Sequence, residues 1–330
     1  MTGNRIGLIG CGAISEFHVP ALNAAGLDVV AVAGSPGSIR ASEFAARHSI
    51  GRVFDSADEL LDQKNEFDGI LIAVPVARTL EILQAALETN LPVLVEKPIS
   101  YKSADLDALK SGDYPLIVGY NRRFYRTVME ARREIETDQP FTASLTLPES
   151  AAHDGQIDSG SLYLRSFFSN SVHGLDLAQY VLGRAEVRLV ERIRSADGLL
   201  AGLAATLSTA SGVPLQFTAN WGAPANFALT LDRAGRRFDL RPFEMATVYE
   251  GMQISEPTPE TPIRTYQPVL KEQLMLDPID STFKPGFVAQ AYAFRALLAG
   301  ETTAPAAGLE DAHSVLKLAE ELAGTTFDCV

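Results

Sequence analysis

Four short stretches carry residue types that could do chemistry. The first is Gly10-Cys11-Gly12-Ala13-Ile14-Ser15, which follows an apolar run and precedes a helical pattern. Gly10 allows a tight turn, and Gly12 lets a pyrophosphate approach the backbone. The helix that follows aims its N–H groups and positive dipole end at that spot. Ser15, at the third position of the fingerprint, is still small enough for close helix–strand contact. The second stretch, Ala33–Arg40, ends the next predicted strand. Sites for NAD usually place Asp or Glu there to bond the ribose 2′-OH. This segment reads Ala-Gly-Ser-Pro-Gly-Ser-Ile-Arg and holds no acid. Gly34 leaves room, Ser35 and Ser38 can donate, and Arg40 can pair with a 2′-phosphate, so the segment leans to NADP.

The third stretch is Glu96-Lys97-Pro98, directly after Val93-Leu94-Val95. It falls at the carboxyl end of a predicted parallel strand, where open α/β sheets bind ligands. A lysine held there can donate to a hydroxyl or carbonyl, and partial burial lowers a lysine's pKa. The fourth is Ser169-Asn170-Ser171-Val172-His173-Gly174-Leu175-Asp176. Ser171 or Asn170 is expected to cap a helix. That would put His173 in the first turn, where the positive helix end favours the neutral imidazole a general base needs. His173 and Asp176 are three apart and share a helix face. His18, His48, His153 and His313 show no ligand spacing with this pair, so no metal is expected. Each stretch alone also has a plain structural reading: a glycine turn, a surface arginine, a surface lysine, a capped helix with a core histidine.

The elements that must position these residues follow from the apolar pattern. Short continuous apolar runs alternate with amphipathic stretches through the first third. Strands are predicted at 5–9, 28–33, 69–74, 93–95 and 116–118, with helices at 13–25, 38–48, 57–63 and 79–89. That alternation predicts a parallel, doubly wound sheet covered on both faces, ending near residue 120. After it comes a basic helix at 125–136 and a strand at 141–147. Residues 149–161 then read as an exposed loop and 172–182 as a helix. Closely spaced strands at 186–194, 199–208, 214–221, 227–232 and 236–240 predict an antiparallel sheet. Residues 256–268, with four prolines, read as an irregular loop, and two helices at 288–299 and 309–323 follow. The expected domains are 1–120 and 121–330.

The chain has 330 residues, 46% of them hydrophobic, and a net charge of −13. This composition excludes collagen, low complexity and a disulfide scaffold, and the acidic balance argues against nucleic acid as a partner. Cys11 and Cys329 are the only cysteines, which suggests free thiols in a reducing compartment. No apolar run approaches the length of a membrane span. A cytoplasmic protein with a small-molecule substrate is expected.

The order of these stretches, together with Gly119-Tyr120-Asn121-Arg122-Arg123-Phe124, resembles the glucose–fructose oxidoreductase / inositol dehydrogenase / rhizopine catabolism (Gfo/Idh/MocA) family over nearly the whole chain. The resemblance implies an N-terminal Rossmann domain and a C-terminal α+β domain. The second domain would carry an open, largely antiparallel sheet, often an oligomer interface, so a homodimer or homotetramer is expected. It implies hydride exchange between NADP (or NAD) and a sugar, polyol or nucleotide sugar. Lys97, His173 and Asp176 match the family's catalytic positions. Gly10, Gly12, Ala13, Ile14, Ser35, Arg40, Val74, Pro75, Glu96, Lys97 and Asn121 are expected to bind the cofactor, with Asn121 among the positions that match the family. Lys97, Arg123, Asn170 and His173 are expected on the substrate side, with Lys97, Arg123 and His173 at positions that match the family. Two positions depart from the pattern. Ser169 stands where many members carry aspartate, and Val74-Pro75-Val76-Ala77-Arg78-Thr79 replaces Thr-Pro-x-x-x-His. The alternatives are a non-catalytic cofactor-binding sensor, which the serine at 169 favours, and a redox-assisted glycosidase or lyase.

Overall fold

The computed structural model describes residues 4–326 apart from 111, 138, 150–158 and 197. The chain divides into two compact units, one of residues up to 124 with 278–320, the other of 125–277 with 321–324. The segment from 278 onward, expected in the second domain, largely folds with the first.

The first unit begins with β1 (Asn4–Ile9), α1 (Ser15–Ala24), β2 (Leu27–Ala33), α2 (Ile39–His48), β3 (Arg52–Phe54) and α3 (Ala57–Asp62). It continues through β4 (Gly69–Ile72), α4 (Val76–Leu87), β5 (Val93–Val95) and β6 (Leu116–Val118). The strands form one parallel sheet in the order β3-β2-β1-β4-β5-β6. Ile6, Leu8, Val32, Leu71, Leu94 and Ile117 are buried in it, as expected of strands covered on both faces. Strand order reverses direction between β1 and β4, which opens a crevice at their carboxyl ends.

The second unit holds α5 (Arg126–Glu134), β7 (Phe141–Thr146), α6 (Ser159–Ser166), α7 (Val172–Leu182), β8 (Ala185–Arg194), β9 (Leu200–Thr209) and β10 (Pro214–Asn220). Then come β11 (Ala228–Arg233), β12 (Arg236–Leu240), β13 (Met245–Ser255) and β14 (Thr265–Met275). Its eight strands are ordered β14-β13-β12-β11-β7-β10-β9-β8. The pairing is antiparallel except between β7 and β10, which run parallel with Leu215 opposite Ala143 and Phe217 opposite Leu145. The expected irregular loop at 256–268 is shorter than predicted, because Thr265–Pro268 already belong to β14. Pro268 is tolerated there because β14 is an edge strand, where one side of the backbone needs no ladder partner.

The expected exposed loop at 149–161 is corrected at both ends. Glu149 is buried, and 159–161 already belong to α6. Residues 150–158, with His153, and Cys329 lie outside the described residues. The last helices are α8 (Phe287–Leu298) and α9 (Leu309–Ala323). From α8, Ala291 and Phe294 enter the core that Leu8, Val19, Leu22 and Phe44 form in the first unit. Among the described residues no helix is long and apolar enough to cross a membrane.

Candidate functional site

In the first unit a cavity of about 730 Å³ lies at the carboxyl ends of β1, β2 and β4. Its floor is the β1–α1 turn. Gly10 takes φ +105°, and a Cβ on it would come 2.2 Å from the carbonyl oxygen of Ala73. Only glycine fits both demands. Ser15 holds the turn by donating its Oγ–H to the Gly10 carbonyl at 2.9 Å. Gly12, by contrast, has nothing within 4 Å of a would-be Cβ, so its backbone is open to a ligand.

Helices α1, α2 and α4 all begin at this cavity. The residues preceding them, Ile14, Ser38 and Pro75, make no side-chain cap and all three line the cavity. Their first N–H groups are therefore not satisfied by a side-chain cap, the arrangement that receives phosphate oxygens. Gly34, Ser35, Ser38 and Arg40 line one wall, and Val74, Pro75 and Arg78 another. Burial pushes the Cys11 thiol up, while the positive charge of Arg40 pulls it the other way, so the guanidinium acts on the turn electrostatically. An acid does reach the Ser35–Ser38 loop, from the next strand. The Asp55 carboxylate lies 3.4 Å from the Gly37 N–H, a neighbour the segment 33–40 could not reveal.

These residues fit a dinucleotide: an open glycine backbone, uncapped helix starts and a cation, Arg40, in the first turn of α2. Among the described residues, Ala13, Glu96, Lys97 and Asn121 lie outside the cavity lining. Lys97 is half-buried just past β5, and its peptide bond to Pro98 is cis. Glu96 turns to the first helix instead, with its Oε1 2.7 Å from His18 Nε2 and its Oε2 accepting the Lys97 N–H. Asn121 donates to the Pro285 carbonyl at 2.8 Å. Arg123 is buried and lies 3.2 Å from Asp311 in an ion pair.

In the second unit, the expected capped helix is corrected. Ser171 has helical φ −61° and ψ −23° and makes no cap. The helix runs on from α6 through a π-helical turn, Phe167–Ser171, into α7. His173 therefore does not sit at a free helix N-terminus, and the dipole argument for its neutral form lapses. His173 and Asp176 are both buried on this helix. The reading of the sequence missed Glu149, 3% exposed. Its carboxylate accepts from Ser171 Oγ at 2.7 Å and Asn170 Nδ2 at 3.0 Å. No local pattern announces a glutamate that finds its partners some twenty residues later.

Residues 4–111 match the model of an oxidoreductase family with an NAD-binding Rossmann fold. A Rossmann-type nucleotide-binding domain is thus the class that fold and cavity define. That match spans the first third of the chain, the part that holds most of the cavity-forming strands. Myo-inositol 2-dehydrogenase of Thermotoga maritima is 26% identical over 188 residues, 54% of this chain and 55% of that protein. The chain spans about half the length of the curated relatives it matches. Among solved structures, UDP-N-acetylglucosamine 3-dehydrogenase GnnA from Acidithiobacillus ferrooxidans superimposes with a TM-score of 0.72 at 19% identity, covering 98% of each chain. Levoglucosan dehydrogenase in complex with NADH gives 0.73 at 16% identity, covering 99% of this chain and 100% of that one. At such identities these likenesses show the fold.

Proposed function

We propose that the protein is a nicotinamide-dependent dehydrogenase or reductase acting on a CH–OH carbon of a sugar, polyol or nucleotide sugar, with NADP preferred to NAD. The observation that carries this reading is the cavity built by Gly10, Gly12 and Ser35–Arg40 in a domain of an NAD-binding family. The Thermotoga relative, a myo-inositol 2-dehydrogenase, supports a polyol alcohol as the reacting group. The names of the structural neighbours support a sugar by analogy of fold alone.

The cofactor, when bound, supplies the hydride acceptor or donor. The chain's residues do the rest. Gly12 and the start of α1 bind the pyrophosphate, and Arg40 with Ser35 and Ser38 binds a 2′-phosphate. Lys97 donates to the reacting oxygen. His173 removes or returns the hydroxyl proton, and Asp176 orients its imidazole. General acid–base catalysis of this kind contributes roughly 10²–10⁴-fold.

The same reading makes the protein a cytoplasmic homodimer or homotetramer with no nucleic-acid or membrane partner. The apolar residues Leu189, Ile193, Met252, Ile254 and Leu270, exposed on the strands of the larger sheet, support self-association. The rival reading, a cofactor-binding sensor without catalysis, is favoured by Ser169. The experiment is a fluorescence titration of cofactor-stripped protein with NADPH and with NADH. Tight NADPH and weak NADH binding is expected. Binding of neither sinks the reading, and a preference for NADH removes only its NADP part.

A further inference from the structure

We propose that His18 and Glu96 are positioning residues for Lys97: their buried contact ties the backbone of the lysine to α1, the helix that starts at the nucleotide cavity. The proposal rests on the reading of Lys97 as donor to the reacting oxygen and adds what holds it in place.

β5 ends at Val95. Its ladder runs one peptide further, because the Glu96 N–H donates to the Ile72 carbonyl of β4 at 2.8 Å. On the other side the Gly119 N–H donates to the Val95 carbonyl at 2.8 Å. At Lys97 the partner changes. Its N–H donates to Oε2 of the Glu96 side chain at 3.1 Å. Whatever fixes the Glu96 carboxyl group therefore fixes the start of the loop that carries the lysine.

Three elements fix that group. Its Oε1 lies 2.7 Å from His18 Nε2 on α1. A Cβ on Gly119, just past β6, would come within 3.0 Å of its carboxyl carbon, so the backbone closes that side. The Phe287 ring of α8 lies against the His18 imidazole, 4.6 Å between centroids, and His18 is buried. Side chains packed in this way keep one rotamer.

A buried polar pair in such a place calls for a reason beyond stability, because apolar residues of similar volume often serve a fold as well. Positioning supplies one. Lysine has a flexible four-carbon stem, and a misplacement of about 1 Å at a reacting group costs about 100-fold in rate. Holding the backbone at Lys97 removes part of that freedom. The helix that would receive the pyrophosphate is also the one that holds the lysine, so cofactor and lysine share one rigid support.

Wild type, His18→Ala and His18→Gln are labelled with acetic anhydride at fixed pH, and acetylation of Lys97 is read by mass spectrometry against the exposed Lys64 and Lys317. In His18→Ala the half-buried Lys97 should label about tenfold faster, the worth of one buried hydrogen bond, with both reference lysines and the affinity for NADPH unchanged. His18→Gln, whose amide still reaches Glu96, should restore most of the wild-type rate. Amide hydrogen exchange at Lys97 in the wild type tests the same bond without a substitution, and there protection is expected. With myo-inositol or D-glucose, whichever the wild type oxidises, His18→Ala should lose about 100-fold in kcat. Wild-type labelling or wild-type kcat in a folded alanine variant, or a Lys97 amide that exchanges as fast as an open loop, overturns the proposal. A wild type that oxidises no sugar or polyol removes the oxidoreductase reading instead, and labelling and exchange still decide whether His18 and Glu96 hold Lys97.

Discussion

His18 Nε2 on α1 lies 2.7 Å from Glu96 Oε1 at the end of β5, and the two side chains are only 3% and 11% exposed. This contact joins the helix that follows the glycine turn to the residue beside Lys97. It explains why Glu96 does not face the nucleotide cavity. Its other oxygen accepts the Lys97 N–H, and Gly119 packs so closely that a Cβ would sit 3.0 Å from the carboxyl carbon. Replacing His18 by alanine leaves one oxygen of a nearly buried carboxylate without its histidine partner. A loss of about 1–3 kcal/mol is expected, measured by urea unfolding. His18→Gln, which keeps an N–H donor, should recover part of it. An alanine variant as stable as the wild type would show that the contact holds nothing.

Gly10 and Gly12 should respond differently to the same added methyl group. At Gly10 it meets the Ala73 carbonyl and a forbidden backbone conformation, so Gly10→Ala should lower the melting temperature as well as nucleotide binding. At Gly12 it meets open space. Gly12→Ala should therefore melt like the wild type and yet bind NADPH at least about tenfold more weakly, because the methyl occupies the phosphate's approach.

Arg40 should govern cofactor choice rather than cofactor binding. Removing a guanidinium that pairs with a 2′-phosphate costs about 1.5–3 kcal/mol. Arg40→Ala should thus weaken NADPH by about ten- to hundredfold and leave NADH nearly unchanged. Equal losses for both cofactors would move Arg40 to another part of the nucleotide.

Acid should act on the second unit through Glu134. Burial raises its pKa, but the hydrogen bond and charge of Arg236, with the charge of Arg233, outweigh that and hold it below the ordinary range. Both of its oxygens accept from Arg236, at 2.9 and 2.6 Å. A carboxylate whose folded pKa is depressed stabilises the fold above its unfolded value, about 4.3. That stabilisation is lost as pH falls through the folded value. Glu134→Gln should cost about 1–3 kcal/mol near neutrality. Below about pH 4 its urea midpoint should converge on that of the wild type. A constant gap at every pH would contradict this account.

The first unit was readable because its signals are local. Val29–Ala33 and Gly69–Ile72 are unbroken apolar runs, and Gly10-x-Gly12 falls between a strand and a helix. The second unit hides its candidate residues for physical reasons. Glu149 gains its meaning from Ser171 and Asn170, which reach it only after the chain has folded back. A π-helical turn has no sequence period of its own, so Ser171 read as a cap where the helix in fact runs through. β13 and β14 escaped notice because the outer half of β13 and nearly all of β14 are exposed, so no alternation of buried apolar residues marks them, and Pro268 falls among them. The docking of α8 was equally hidden. Ala291 and Phe294 form an ordinary apolar helix face, and nothing in it names the partner sheet.

The most direct test follows the nicotinamide absorbance of NADPH while wild-type protein, Lys97→Ala and His173→Ala are each mixed with NADP⁺ and a panel of neutral polyols and sugars at fixed pH. The account predicts NADPH formation by the wild type with at least one compound, and losses of roughly 10²-fold or more in kcat for each variant. Tight NADPH binding with no turnover on any of them, or full turnover in both variants, would contradict it.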